Sequence, residues 1–98
     1  MDESKRTRYT LIFTDLSLKD LAFLDKTGNQ ATLKRIDRIL AELETTPFTG
    51  IGKPHELSYD FAGRWSRHQN KKDVIVYQVN ETEKTVHIYS ARYHYFDK

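Results

Sequence analysis

Apolar residues alternate with polar ones near the start of the chain and again through its second half; between these regions they recur every three or four positions. Tyr9, Leu11 and Phe13 alternate with Thr10 and Ile12, which predicts a first strand over Arg8–Phe13, buried on at least one face. Thr14 or Asp15 is placed to cap a helix whose apolar positions are Leu18, Leu21, Ala22 and Leu24. Lys26-Thr27-Gly28-Asn29 breaks that helix. A longer one is predicted from about Gln30 to Glu44, with Leu33, Ile36, Leu40 and Leu43 on one stripe. Lys34, Arg35, Asp37, Arg38 and Glu42 fall mostly outside it. Two antiparallel helices joined by a Gly-containing turn result.

Pro47 ends the helical pattern, and Thr45–Pro54 is a loop rich in Pro and Gly. The period then changes to two. Strands are predicted at His55–Ser58 and Trp65–Gln69, with the Asp60–Gly63 turn between them. Two more, Asp73–Val79 and Thr85–Ala91, are joined by the polar turn Asn80-Glu81-Thr82-Glu83-Lys84. On the last strand Val86, Ile88 and Ser90 point one way, and His87, Tyr89 and Ala91 the other. The fold class is α+β: an N-terminal strand, two antiparallel helices, then an antiparallel sheet of about four strands, with the helices on one sheet face. Residues 1–7 read as a polar lead-in and residues 8–98 as one domain.

A chain of 98 residues with 38% hydrophobic residues supports one modest core and is no disordered polar chain. No run approaches the roughly 20 apolar residues of a membrane span, and the N-terminus lacks the apolar stretch of a signal peptide. Absence of cysteine excludes disulfides and thiolate metal sites and suits the cytoplasm. His55, His68, His87 and His94 lack metal-ligand spacing, so no metal is expected, and no phosphate-cradling glycine motif calls for a nucleotide cofactor. The overall charge of +2 is uninformative. Its distribution is not: from Lys53 to Lys72, Lys53, Arg64, Arg67, Lys71 and Lys72 outnumber Glu56 and Asp60. Tyr59, Phe61 and Trp65 interleave with these cations, a pattern that fits single-stranded nucleic acid and equally fits a solvated basic face.

Cleaving RNA without a metal needs a base for the 2′-hydroxyl proton, an acid for the leaving 5′-oxygen and cations for the charge building on phosphorus. The ending Arg92-Tyr93-His94-Tyr95 gathers such groups, with His94 as the candidate acid. His55 and Glu56 are both candidate bases. Adjacent strand residues face opposite sides, so a regular strand presents only one of them to a site. Trp65 and Arg67 share one strand face, and Arg64 and Ser66 share the other. Trp65 is more often core than a base-stacking platform. Lys53, Arg64, His68, Lys71, Lys72 and Arg92 are candidate phosphate contacts.

Thr46-Pro47-Phe48-Thr49-Gly50-Ile51-Gly52-Lys53-Pro54, Gly63-Arg64-Trp65-Ser66-Arg67, Val76-Tyr77 and Arg92-Tyr93-His94-Tyr95, in this order and spacing, resemble the YoeB/Txe toxins of the RelE/ParE superfamily. The resemblance covers roughly residues 8–98. It implies a RelE-like microbial RNase fold and the toxin of a type II toxin–antitoxin system. The implied activity is ribosome-dependent mRNA cleavage in the A site, free of metal and cofactor. The implied partners are a cognate YefM/Phd-like antitoxin, the ribosome and its mRNA, and a second copy of the toxin. His94 and Tyr95 match the family's terminal acid and its neighbour. Arg67, a catalytic residue expected over the phosphate, matches the first arginine of a Trp-Ser-Arg-Arg block, whose second is His68 here. The family's acidic base falls on His55, with Glu56 one place later, and its phosphate arginine falls on Val74. Loss of one such contact costs about 10²–10³ in rate. The alternatives are therefore a slowed enzyme and an inactive homologue that binds antitoxin and regulates its operon. A gyrase-directed poison of the ParE kind would leave His94 and Tyr95 without a task.

Overall fold

The computed structural model describes residues 8–92. The strand β1 (Thr10–Phe13) leads into α1 (Asp15–Thr27) and α2 (Gln30–Leu43). Four strands follow: β2 (His55–Glu56), β3 (Trp65–His68), β4 (Val74–Asn80) and β5 (Thr85–Ser90). A 3-10 turn at Tyr59–Phe61 replaces the simple turn expected before β3. The sheet order is β1-β5-β4-β3-β2. The four later strands are antiparallel, as the alternation predicts, and β1 adds to β5 in parallel. A parallel neighbour cannot be joined by a tight hairpin, and the connection from β1 to β5 runs through both helices and the other three strands.

Thr14 caps α1, its hydroxyl oxygen accepting the Ser17 N–H at 3.1 Å, and Asn29 caps α2 by accepting the Thr32 N–H at 2.8 Å. Gly28 closes α1, where its N–H bonds the Leu24 carbonyl one turn back and a Cβ would lie 2.7 Å from that oxygen.

The core lies between the helices and one sheet face, with Ile36, Ile39 and Leu43 from α2 against Ile75, Tyr77, Val86 and Ile88. The α2 stripe is thus rotated from the one predicted. Ile39 is fully buried, while Leu33 and Leu40 sit at its flanks, half-buried. The α1 expectation needs a larger correction. Leu18 and Ala22 are exposed, and the buried positions are Ser17, Asp20 and Leu24. Polar groups face inward there because they bond the backbone. The Ser17 hydroxyl donates to the Thr14 carbonyl at 2.8 Å, and the Asp20 carboxylate accepts the Ala91 N–H at 2.9 Å. Ala91 is where the chain leaves β5, so α1 anchors the start of the C-terminal segment.

Candidate functional site

Strand pairing sorts the candidate residues onto two sheet faces, because directly paired residues project the same way. Ser66 pairs with His55 on one side and Val76 on the other, and His68 pairs with Val74. His55, Ser66 and His68 therefore share the face turned away from the helices. Glu56 pairs with Trp65, and Trp65 and Arg67 pair with Tyr77 and Ile75, which belong to the core. Glu56, although exposed, is on the helix side.

Arg67 was expected over the phosphate. The structure buries it completely, and each of its five N–H groups has a partner. Nε donates to the Tyr77 hydroxyl at 3.2 Å, and Nη1 to Glu42 Oε1 at 2.7 Å and the Ile51 carbonyl at 3.5 Å. Nη2 donates to the Thr46 and Thr49 carbonyls at 2.6 and 2.7 Å. The Tyr77 hydroxyl in turn donates a hydrogen bond to the Pro47 carbonyl at 2.7 Å. No donor remains for a substrate. The guanidinium instead holds the Pro/Gly loop against the sheet.

The loop's glycines are dictated by this network. Gly50 has φ +134°, and a Cβ there would lie 2.0 Å from Glu42 Oε1. Gly52 has φ +83°, and its Cβ would lie 2.8 Å from the His68 carbonyl oxygen. That close approach lets the Gly52 carbonyl accept the His68 N–H at 2.8 Å, which sets Lys53 beside the end of β3.

Glu42 was expected mostly outside, yet it turns under the loop. Partial burial pushes its carboxyl up, but hydrogen bonds from the Ile51 N–H, Arg67 and Arg38 outweigh this and hold it below the usual carboxylate range. A depressed folded-state value contributes stability that is complete above the unfolded value of about 4.5 and is lost as pH falls through the folded one. Thermal midpoints should therefore drop on acidification below about pH 4.5, and Glu42→Gln should flatten that dependence. A parallel fall in both proteins would exclude Glu42 as the source.

Arg64 takes the opposite side of β3 from Arg67. Its guanidinium lies 4.1 Å from the Tyr89 ring centroid and 5.3 Å from that of Phe61, and it makes no hydrogen bond or ion pair among the described residues. Stacking holds the cation by its flat face and leaves its edge N–H groups for an anion. Trp65 is no stacking platform: it packs on Phe48 with ring centroids 5.0 Å apart. Lys71 and Lys72 are exposed on the β3–β4 turn, where the Asn70 side-chain oxygen accepts the Lys72 and Asp73 N–H groups at 2.8 and 2.6 Å. Arg92 is turned to α1, its guanidinium carbon 3.7 Å from the Phe23 ring centroid. His94 and Tyr95 lie outside the described residues.

The face thus brings together His55, His68 and Arg64, with Lys53 at its rim, and separates Glu56, Arg67 and Arg92 from them. Sequence reasoning missed Glu42 and Tyr77 as supports. The signal for them was the shared face of Trp65 and Arg67, since a core tryptophan takes the arginine inward and a buried arginine needs a counter-charge. Among the described residues no three His, Asp or Glu side chains are grouped to hold a metal ion, and no helix is long and apolar enough to cross a membrane.

A family model for the YoeB-like toxin of bacterial type II toxin–antitoxin systems matches residues 13–95. A YoeB toxin of Streptomyces coelicolor is 35% identical over 85 residues, 87% of this chain and 98% of its own length. A YoeB/ParE toxin structure from Agrobacterium tumefaciens superposes with a TM-score of 0.79 at 31% identity, over 88% of this chain and 99% of that one. The toxin of a YoeB–YefM complex from Staphylococcus aureus does so at 0.74 and 28% identity, over 90% and 99%. With the strand order and the loop in place, the chain belongs to the YoeB-like toxins of bacterial type II toxin–antitoxin systems.

Proposed function

We propose that this toxin cuts mRNA on the ribosome by metal-free acid–base catalysis, with His55 rather than Glu56 as the base. The observation that carries this reading is the common sheet face of His55, His68 and Arg64. Neutral His55 takes the proton of the 2′-hydroxyl, whose oxygen attacks phosphorus. The bond to the 5′-oxygen breaks, and protonated His94 supplies that oxygen with a proton. The products are a 2′,3′-cyclic phosphate and a 5′-hydroxyl. Arg64, His68 and Lys53 meet the charge on the phosphate, and Tyr95 positions the leaving group beside His94. Arg64 thereby stands in for the arginine that the family pattern places at Val74, a buried apolar position here.

A YefM-type antitoxin, as in the Staphylococcus aureus complex, and a second toxin copy, as in the YoeB dimer from that organism, are the proposed protein partners, and the cytoplasm the proposed site of action. The second reading, an antitoxin-binding module without catalysis, draws on Val74: an apolar side chain offers the phosphate nothing. Primer extension on ribosome-bound message separates the two. New 3′ ends are expected with the unmutated chain and none with His94→Gln, which should keep antitoxin affinity. Absence of cuts with the unmutated chain would establish the binding module.

A further inference from the structure

The cutting face leaves Arg35 and Lys71 unused, and both converge with Lys53 at its rim. Arg35 of α2, Lys53 of the loop and Lys71 of the β3–β4 turn line one open groove of about 620 Å³, together with His68. No carboxylate lines it, and no Phe, Tyr or Trp ring does. Among the described residues none of the three cations makes a side-chain hydrogen bond or ion pair. The backbone assembles them instead. Lys53 holds a left-handed φ of +54° beside Gly52, and the Asn70 amide ties the turn to the Thr32 hydroxyl of α2 at 3.5 Å.

Like charges gathered without a counter-charge repel, and an anion entering the groove relieves that repulsion. Three cations with no Phe, Tyr or Trp beside them suit phosphate more than bases, which stack best on large rings. His68 belongs both to this groove and to the face that carries His55, so a strand crossing that face continues into the groove.

We propose that the groove is a second phosphate site for RNA, with Arg35 as a contact, seating backbone next to the bond being cut. The proposal rests on the RNA-cutting reading, but its readout is binding. In the His94→Gln background, Arg35→Gln with Lys71→Gln should lower the log–log salt slope for a short fluorescein-labelled single-stranded RNA by about 1.4, at 0.7 per phosphate contact. Affinity at low salt should fall about tenfold. Lys19→Gln with Lys26→Gln, an equal charge loss on exposed positions of α1, should change the slope little. An effect with the free strand assigns the groove to message, and one with vacant 70S ribosomes alone assigns it to ribosomal RNA; either supports the phosphate site. Equal effects of the two variant pairs, or none, would overturn it. So would lost affinity for oligoglutamate with an unchanged RNA slope, which would make the occupant an acidic peptide. A slope effect in a toxin whose unmutated form makes no new 3′ ends would leave the groove standing and remove the cutting reading.

Discussion

Arg67→Lys is expected to cost about 3–5 kcal/mol of folding stability, because removing one member of a buried charge pair strands its partners. Those partners are the Glu42 carboxylate, the Thr46, Thr49 and Ile51 carbonyls and the Tyr77 hydroxyl. Lysine keeps the positive charge but loses the fork: three donors on one atom cannot reach acceptors spread over a loop, a helix and a strand. Small domains have roughly 5–15 kcal/mol in total, so the loss is a large share of the margin. At 4–8 °C per kcal/mol for a domain of this size, the thermal midpoint should fall by about 12 °C or more. Circular dichroism melts of the purified toxin measure it. Activity should fall as well, since the loop positions Lys53 and His55, so activity alone does not discriminate. An unchanged midpoint with lost cleavage would make Arg67 a substrate contact and refute the structural role.

The same residue shows how far the sequence was legible. Period-two alternation located β3 to within one residue, and it placed Trp65 and Arg67 on a common face. Deciding whether that face is wet or dry requires knowing what packs over it. The cover is Glu42, Pro47 and Thr49, from 18 to 25 residues away in sequence, and no local pattern reports it. The α2 helix was legible because its apolar residues repeat along one stripe, and only the stripe's centre was misjudged. α1 was not, because Ser17 and Asp20 take buried positions to bond the backbone at Thr14 and Ala91, while Leu16, Leu18 and Phe23 stay exposed. The pairing of β1 with β5 joins the first strand to the last, a contact that periodicity does not encode.

The choice between His55 and Glu56 was open in the sequence for the same reason, and the pairing of β2 makes a definite expectation of it. His55→Ala should lower the rate of ribosome-dependent cleavage by about 10²–10⁴, the usual contribution of a positioned general base. Glu56→Gln should change it by no more than about twofold, since a carboxylate on the helix side of the sheet lies across the backbone from the reacting phosphate. The magnitude rests on register: Glu56 opposite Trp65 forces His55 opposite Ser66, and a slip of one residue would exchange the two side chains between faces. His55→Glu should keep cleavage above the His55→Ala level, because it puts a proton acceptor back on the same face at the place where the family pattern has its acid. Single-turnover cleavage of message on programmed ribosomes, at saturating toxin, measures the chemical step for all three variants. If Glu56→Gln abolishes cleavage and His55→Ala stays active, then β2 has shifted by one residue on the ribosome. His55 would then point toward the helices, and Glu56 would be the base.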